Sequence, residues 1–139
     1  MKRRSFLGAL GILPTILLES CNGSGLDSPN AATIFTGVVI DENGKPLEGI
    51  GFQFAGETGG FNPKSTFDLN TQTDAKGYYY LEKFIPKGTG FITFKPTGSM
   101  EYSSGSYDYL CRVNGVYQTN IPFKTETKNE LNFKFVKRK

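Results

Sequence analysis

The chain contains no histidine and no tryptophan among its 139 residues. Without histidine it lacks the usual general base, the usual zinc ligand and any Ser-His or Cys-His catalytic pair. The carboxylates of Asp41, Glu42 and Asp74 lie in turn-forming sequences. We expect them to cap turns instead of forming the facing pair that a glycosidase needs. The sequence therefore predicts a protein that is not an enzyme and that holds no metal ion or other cofactor.

Cysteine is also scarce, since Cys21 and Cys111 are the only two. If Cys21 is modified, Cys111 has no partner and no intrachain disulfide can form. Alternation along the run around Cys111 places its side chain with Tyr109 and Val113, which predicts a buried, unreactive thiol. A reactive thiol is the alternative, and a disulfide between Cys21 and Cys111 is conceivable if Cys21 stays unmodified.

No apolar run is long enough to span a membrane as a helix. The run from Phe6 to Leu18 has about thirteen residues, against the roughly twenty that a hydrocarbon core requires, and Pro14 interrupts it. A basic segment precedes this run, and Leu18-Glu19-Ser20-Cys21 follows it as a plausible cleavage site. This order is typical of an export signal, so residues 1–20 are predicted to be a signal peptide.

The same segment resembles the signal peptides of bacterial lipoproteins, in which cleavage precedes a cysteine that carries diacylglycerol. Leu18 and Ser20 match that pattern, and Glu19 departs from it. The resemblance implies lipid attachment at Cys21 and a place in the cell envelope, anchored to a bacterial membrane, with the outer membrane or the periplasmic face favoured. An ordinary secretory signal, giving a secreted or periplasmic protein, is the alternative. Arg3-Arg4-Ser5-Phe6-Leu7 also looks like the twin-arginine export motif, so both export routes stay open.

Little net charge remains once residues 1–20 are removed, because 13 basic and 12 acidic residues are left. Nucleic-acid binding needs a concentrated basic face, so we exclude a nucleic-acid partner. Residues 21–32 are rich in Gly, Ser, Asn and Pro, which predicts a flexible tether. Residues 33–139 are predicted to form one domain.

Aromatic and turn-forming residues are abundant in that domain, since the chain has 12 Phe, 7 Tyr and 17 Gly. Short apolar runs alternate with Gly, Asp and Pro turns, which predicts an all-β fold. Asn114-Gly115 is the strongest hairpin signal. The predicted strands are Thr33 to Ile40, Gly49 to Ala55, Phe67 to Thr73, Gly77 to Phe84, Thr89 to Lys95, Tyr107 to Val113, Val116 to Phe123 and Glu130 to Val136.

Three motifs between about residues 34 and 96 resemble the carboxypeptidase regulatory-like domain family: TGVVIDENGKPLEG from Thr36, TDAKGYYYL from Thr73 and IPKGT from Ile85. The resemblance implies a prealbumin-like Greek-key β-sandwich of about seven or eight strands, related to the Cna protein B-type repeats. Such domains are common in exported proteins of bacteria such as the Bacteroidetes and generally serve as accessory or binding modules. The first predicted strand has no lysine, so the internal isopeptide bond of those repeats is not expected, although Asn132 is present.

The register implied by the resemblance divides the side chains between core and surface. It turns Tyr78, Tyr80 and Phe91 outward, with Phe91 placed beside the two tyrosines, and it puts Val38 and Ile40 at outward positions. Exposed aromatic clusters suit protein partners or sugars. The long loops 56–66 and 97–106 add the aromatic residues Phe61 and Tyr102. The predicted core is Phe35, Gly37, Val39, Ile50, Phe52, Phe54, Tyr79, Leu81, Ile92 and Phe94.

Two binding functions follow from these features, and packing of the same side chains beneath the loops is the alternative to both. The first is a non-enzymatic binding or assembly module of the cell envelope, whose protein partner contacts Val38, Ile40 and the nearby aromatic residues. The second is a carbohydrate-binding lipoprotein that uses Tyr78, Tyr80 and Phe91, or the loop residues Phe61 and Tyr102.

We expect the mature membrane form to begin at a lipid-bearing Cys21. Each acyl methylene buried in a bilayer contributes about 0.8 kcal/mol, so a multiply acylated cysteine anchors permanently. Intact mass of the protein extracted from membranes measures the modification, and Cys21→Ser should move the protein to the soluble fraction. A mature species starting at Asn22 or later, or a distribution unchanged by Cys21→Ser, would contradict this prediction.

Overall fold

The computed structural model describes residues 29–99, 101–102 and 105–139. These residues form nine β-strands and no helix, and the strands pair into two sheets, so the predicted all-β sandwich is confirmed. The predicted signal peptide, Cys21 and most of the predicted tether lie outside the described residues. In chain order the strands are β1 (Thr33–Ile40), β2 (Gly51–Thr58), β3 (Ser65–Gln72), β4 (Tyr78–Lys83), β5 (Thr89–Gly98), β6 (Tyr107–Val113), β7 (Val116–Gln118), β8 (Lys128–Glu130) and β9 (Phe133–Lys137).

The larger sheet has the strand order β4-β1-β9-β6-β7, and the smaller sheet has the order β3-β2-β5. Strand β1 is antiparallel to β4 on one side. On its other side β1 pairs in parallel first with β8, beside Ile34 to Thr36, and then with β9, beside Val39 and Ile40. The first strand of the sandwich is therefore held by its last two strands.

The sequence predicts one closing strand where the structure has two. At the break between β8 and β9, the Leu131 N–H donates to the Thr36 carbonyl oxygen at 2.8 Å. The side-chain oxygen of Asn132 accepts the Val38 N–H at 2.9 Å. A side-chain oxygen thus satisfies a strand N–H that would otherwise need a backbone carbonyl. Asn132 keeps β1 paired across the interruption.

Strands β1 and β6 have their predicted bounds, and β2, β3 and β4 are displaced by one to three residues at each end. Strand β5 runs on through Pro96 to Gly98. Pro96 has no N–H to donate. It is tolerated because β5 is an edge strand that pairs only with β2, so no strand on its other side needs that hydrogen bond. Strand β7 ends at Gln118, five residues before its predicted end. The chain leaves the sheet there and brings the Phe123 ring to 5.2 Å from that of Phe35.

The core between the sheets is built from stacked aromatic rings. Phe35 of the larger sheet stacks on Phe94 of the smaller sheet, with ring centroids 4.1 Å apart. Phe52 stacks in the same way on Tyr79 at 4.2 Å. Offset ring pairs of this kind contribute about 0.5–1.5 kcal/mol beyond their buried area. The predicted core residues are buried, except that Ile92 is only partly buried. Five further buried residues are not predicted by the sequence: Leu47, Phe67, Leu131, Phe133 and Phe135.

Two aspartates cap turns as predicted. One side-chain oxygen of Asp41 accepts the N–H groups of Asn43 and Lys45, each at 2.8 Å. Asp74 accepts the N–H groups two and four residues ahead, at 2.8 and 2.9 Å. The predicted Asn114-Gly115 hairpin joins β6 to β7 with φ angles of 50° and 83°, as a turn with two left-handed residues requires.

The loops fall at two ends of the sandwich. We call the end at which β1 begins the basal end and the opposite end the distal end. Because β4 is antiparallel to β1, and β2 is antiparallel to β5, the loops 59–64, 84–88 and 119–127 lie at the basal end. The turns 41–50 and 73–77 and the residues that follow β5 lie at the distal end.

Gly37 lies where β1, β4 and the β8–β9 break meet. It pairs with Tyr79 on one side, and on the other the Leu131 carbonyl occupies the space that a Cβ at residue 37 would need. The buried Tyr79 hydroxyl donates to the same carbonyl oxygen at 2.7 Å. Burial raises the pKa of the Tyr79 phenol far above its ordinary value, so it stays a neutral donor.

Gly37→Ala should therefore destabilise the domain. The new methyl group would displace the Leu131 carbonyl and the hydrogen bond that it accepts, at a combined cost of about 2–4 kcal/mol in the free energy of unfolding. Urea unfolding measures this change. Gly59→Ala is the control, since its Cβ would meet nothing within 4 Å, and it should shift stability by less than about 1 kcal/mol. Equal urea midpoints for Gly37→Ala and the unmodified protein would show that the Leu131 carbonyl does not pack against residue 37.

Candidate functional site

The outer face of the larger sheet carries a cluster of exposed side chains that we call the tyrosine patch: Tyr78, Tyr80 and Val38. They are 43%, 46% and 36% exposed. Tyr78 pairs directly with Val38 across β4 and β1, and Tyr80 pairs with Thr36. These pairs share one face because side chains alternate along both strands. The strand that buries Tyr79 thus presents both of its tyrosine neighbours to solvent.

Both hydroxyl groups of the patch are bonded to their own sheet. The Thr36 hydroxyl donates to the Tyr78 oxygen at 2.7 Å. The Tyr80 hydroxyl donates to the Glu82 carboxylate at 2.6 Å, and that hydrogen bond raises the pKa of the Tyr80 phenol above its ordinary value. These bonds hold the two rings along β4 and β1, so little conformational entropy is lost when a partner covers them.

Ile40 contributes less to this face than the sequence predicts. It lies on the outer side of β1 but is half-buried. Its neighbours explain the burial, because Ile40 pairs with Lys134 of β9 on one side and forms an isolated bridge with Pro46 on the other. The accessible apolar surface is therefore centred on Val38 and the two tyrosines.

Phe91 does not lie beside the tyrosine patch. It is 64% exposed, as predicted, but β5 belongs to the smaller sheet and faces the opposite side of the sandwich. The chain crosses from one sheet to the other in the turn from Ile85 to Gly88, so consecutive strands have outward faces that point apart. Alternation predicts outward direction, and it does not reveal a change of sheet.

The two predicted loop aromatics also separate. Phe61 is fully exposed in the loop 59–64 at the basal end. Tyr102 lies at the distal end and packs against Tyr107 and Phe135, with ring centroids 4.8 and 5.9 Å apart. Tyr102 thus covers the core, and Phe61 remains available for a contact. The five predicted aromatic contact residues occupy three different surfaces and one packed position.

The sequence prediction missed two exposed hydrophobic side chains, Phe84 and Val116, which are 56% and 66% exposed. Phe84 continues the outward series of Tyr80 and Glu82 beyond the end of β4, so the same alternation could have found it. Val116 opens β7 beside Val113. No local signal in the sequence distinguishes Val116 from its half-buried neighbours.

The clefts of the described residues are shallow. A cleft of about 480 Å³ at the basal end is lined by Asn30, Pro86, Ile92 and Glu126, among others. A groove of about 510 Å³ lies on the smaller sheet at Gly51, between the polar side chains of Asn70, Gln72 and Thr97. Neither lining includes a cysteine or a pair of acids. Within the described ranges, no three Cys, Asp or Glu side chains lie close enough together to hold a metal ion.

Cys111 is buried, as predicted. Its exposed fraction is zero, and burial raises the pKa of its thiol to about 11. The thiolate is the reactive form of cysteine, so this group stays unreactive at neutral pH. Cys111 fills part of the core beside Phe133, its partner in the pairing of β6 with β9.

No protein-family model matches the chain, and no curated protein matches it. The part of the chain that the structure describes contains no helix long and apolar enough to cross a membrane.

Labelling with a thiol reagent tests the state of Cys111. In a Cys21→Ser protein Cys111 is the only thiol, and a pKa of about 11 leaves about one hundredfold less thiolate at pH 7 than the ordinary value of 9.0 would. We expect folded protein to react with dithiobisnitrobenzoate at least about one hundredfold more slowly than protein in denaturant, and the rate to rise with pH. Equal rates in the two states would show an accessible thiol.

Proposed function

We propose that this protein is a non-enzymatic binding or assembly module of a bacterial cell envelope, held to a membrane by a lipid on Cys21. A protein partner contacts the tyrosine patch. The domain is assigned to the carboxypeptidase regulatory-like family with a prealbumin-like Greek-key topology, on the three motifs between residues 34 and 96. Its location is the outer membrane or the periplasmic face of the envelope.

The observation that carries this proposal is the tyrosine patch itself. Tyr78, Tyr80 and Val38 are neighbours, are exposed and lie on one face of the sheet through direct cross-strand pairing. Aromatic residues supply contact area at little entropic cost and are enriched where proteins bind one another. Polar side chains border the patch, with Glu82 beside Tyr80 and Glu130 beside Thr36. An apolar centre with a polar rim is the usual arrangement of a protein interface.

The hydrogen bonds of the patch leave it mostly apolar. The Tyr80 hydroxyl donates its proton to Glu82, whereas Tyr78 accepts from Thr36 and keeps its own proton for a partner. Two ring faces and one hydroxyl donor suit a protein surface with apolar side chains at its centre.

Carbohydrate binding is the second candidate function, and the groove on the smaller sheet favours it. Asn70, Gln72 and Thr97 border β2 where it begins, at Gly51. Nearby, the Gln53 amide donates to Asp68 at 3.2 Å. Fixed amides, a carboxylate and hydroxyls offer the paired donors and acceptors that a neutral sugar requires.

Photo-crosslinking in native membranes tests the first candidate. A benzoylphenylalanine residue at position 80 should capture a defined envelope protein, and the same residue at position 116 should not. The double substitution Tyr78→Ala and Tyr80→Ala should lower co-purification of that protein at least about tenfold, since exposed aromatic anchors dominate small interfaces. Unfolding midpoints would show that the variant is folded.

Glycan retention separates the two candidates. If Tyr78→Ala with Tyr80→Ala abolishes retention on envelope polysaccharide and leaves all protein complexes intact, the patch binds sugar and the protein-partner proposal is wrong. If Asn70→Ala with Gln72→Ala abolishes retention instead, the groove on the smaller sheet is the sugar site. Loss of co-purification without any glycan affinity supports the assembly module.

A further inference from the structure

Three exposed phenylalanines emerge at the basal end of the sandwich. Phe61 lies in the loop after β2, Phe84 in the loop after β4, and Phe91 is the third residue of β5. The pairing of Glu57 with Phe91 and of Thr58 with Thr89 places these loops at the same level of the sandwich. Phe84 continues the outward series of β4 and Phe91 faces outward from β5, so the rings lie around the rim of the basal end on both sides of the sandwich. Exposed apolar side chains around one end of a domain mark it as an interaction surface.

The basal end carries more lysines than acidic residues. Within the described residues, the basal loops, together with the two residues of each bordering strand that lie nearest to them, carry five lysines and three glutamates. The glutamates are Glu57, Glu82 and Glu126. The basal end therefore has a net positive charge. Its lysines are Lys64, Lys83, Lys87, Lys124 and Lys128.

The distal end has a different charge balance. The turns 41–50 and 73–77, with Glu101, carry five acidic residues and two lysines. The C-terminal residues Lys137, Arg138 and Lys139 lie toward this end, where Arg138 pairs with Asp108 at 2.7 Å. With these residues included, the distal end still has one acidic residue more than it has basic residues. An anionic surface attracts the basal end and repels the distal turns.

The chain also enters the domain at the basal end. Pro29 and Asn30 line the basal cleft, and the Asn30 N–H lies 3.4 Å from the Glu126 carboxylate. Seven residues, 22–28, separate Cys21 from Pro29. A chain of that length spans at most about 25–30 Å even when fully extended. A lipid on Cys21 would keep the basal end within that distance of a bilayer.

We propose that the basal end docks on the surface of an anionic bilayer, with Phe61, Phe84 and Phe91 in the headgroup region and the basal lysines against lipid phosphates. The proposal rests on the lipid anchor of the proposed function. Apolar rings gain contact with the acyl boundary, and lysines gain attraction to anionic headgroups. Docking in this way sets the strands upright on the membrane and turns the tyrosine patch sideways, toward partners in the same envelope layer.

Single tryptophan reporters test this orientation, since the chain has no tryptophan of its own. The mature chain from Cys21 to Lys139 is coupled through the Cys21 thiol to a maleimide lipid in vesicles, while the buried Cys111 stays unmodified. The vesicles contain brominated acyl chains and about 30% phosphatidylglycerol, a level of anionic lipid sufficient for lysine attraction. Phe61→Trp, Phe84→Trp and Phe91→Trp report on the basal end. Val116→Trp is the matched control, because Val116 is as exposed as Phe91 and lies level with the middle of β1, through the pairing of β7 with β6, of β6 with β9 and of β9 with β1.

We expect quenching at positions 61, 84 and 91 to exceed that at position 116 by at least about threefold, because bromine quenches at contact with the acyl boundary. Vesicles without phosphatidylglycerol, or high salt, should reduce the difference. Equal quenching at all four positions would overturn the proposal. The maleimide lipid supplies the anchor in this experiment, so the quenching result does not depend on whether Cys21 is lipidated in the cell. If the intact-mass measurement finds Cys21 unmodified, the lipid anchor is refuted, and the quenching result still decides whether the basal end docks on a bilayer.

Discussion

The hydrogen bond from Tyr79 of β4 to the Leu131 carbonyl oxygen reaches across β1 to the break between β8 and β9. Strand β1 lies between β4 and the final strands. The Leu131 carbonyl can lie against β1 only because residue 37 has no side chain. Leu131 then leaves the regular strand, and Asn132 completes the ladder with its side chain. Each of these features requires the others, so the position of β1 fixes the register of the whole sheet.

That register also determines the surface. With Tyr79 directed inward, its neighbours Tyr78 and Tyr80 must point outward, because successive side chains of a strand occupy opposite faces. Val38 is outward for the same reason, between the buried Gly37 and Val39. The pairing of β1 with β4 therefore determines both which side chains are buried in the core and which form the tyrosine patch. A change that shifts β4 by one residue would exchange the patch for the core residue.

Local patterns predicted most of the fold. Alternation found β1 and β6 with their observed bounds, and turn chemistry found the Asp41 and Asp74 caps and the Asn114-Gly115 hairpin. What local pattern cannot show is which strands share a sheet. For this reason the sequence predicts Phe91 beside the tyrosines although β5 pairs with β2. It does not predict the break at Leu131, which packs against Gly37 more than ninety residues earlier. Tyr102 was outside local prediction as well, since its burial depends on Tyr107 and Phe135.

The parallel pairing of β1 with β8 and β9 has a consequence for how the chain reaches its native state. The partners of Ile34 to Thr36 lie more than ninety residues later, at Lys128 to Glu130. Strand β1 therefore remains unpaired on one side until nearly the whole domain has left the ribosome. Long-range pairings of this kind make folding slow, because the entropy of closing the loop is lost before the contacts form. The larger sheet is therefore closed around β1 only when the last residues of the domain have been added.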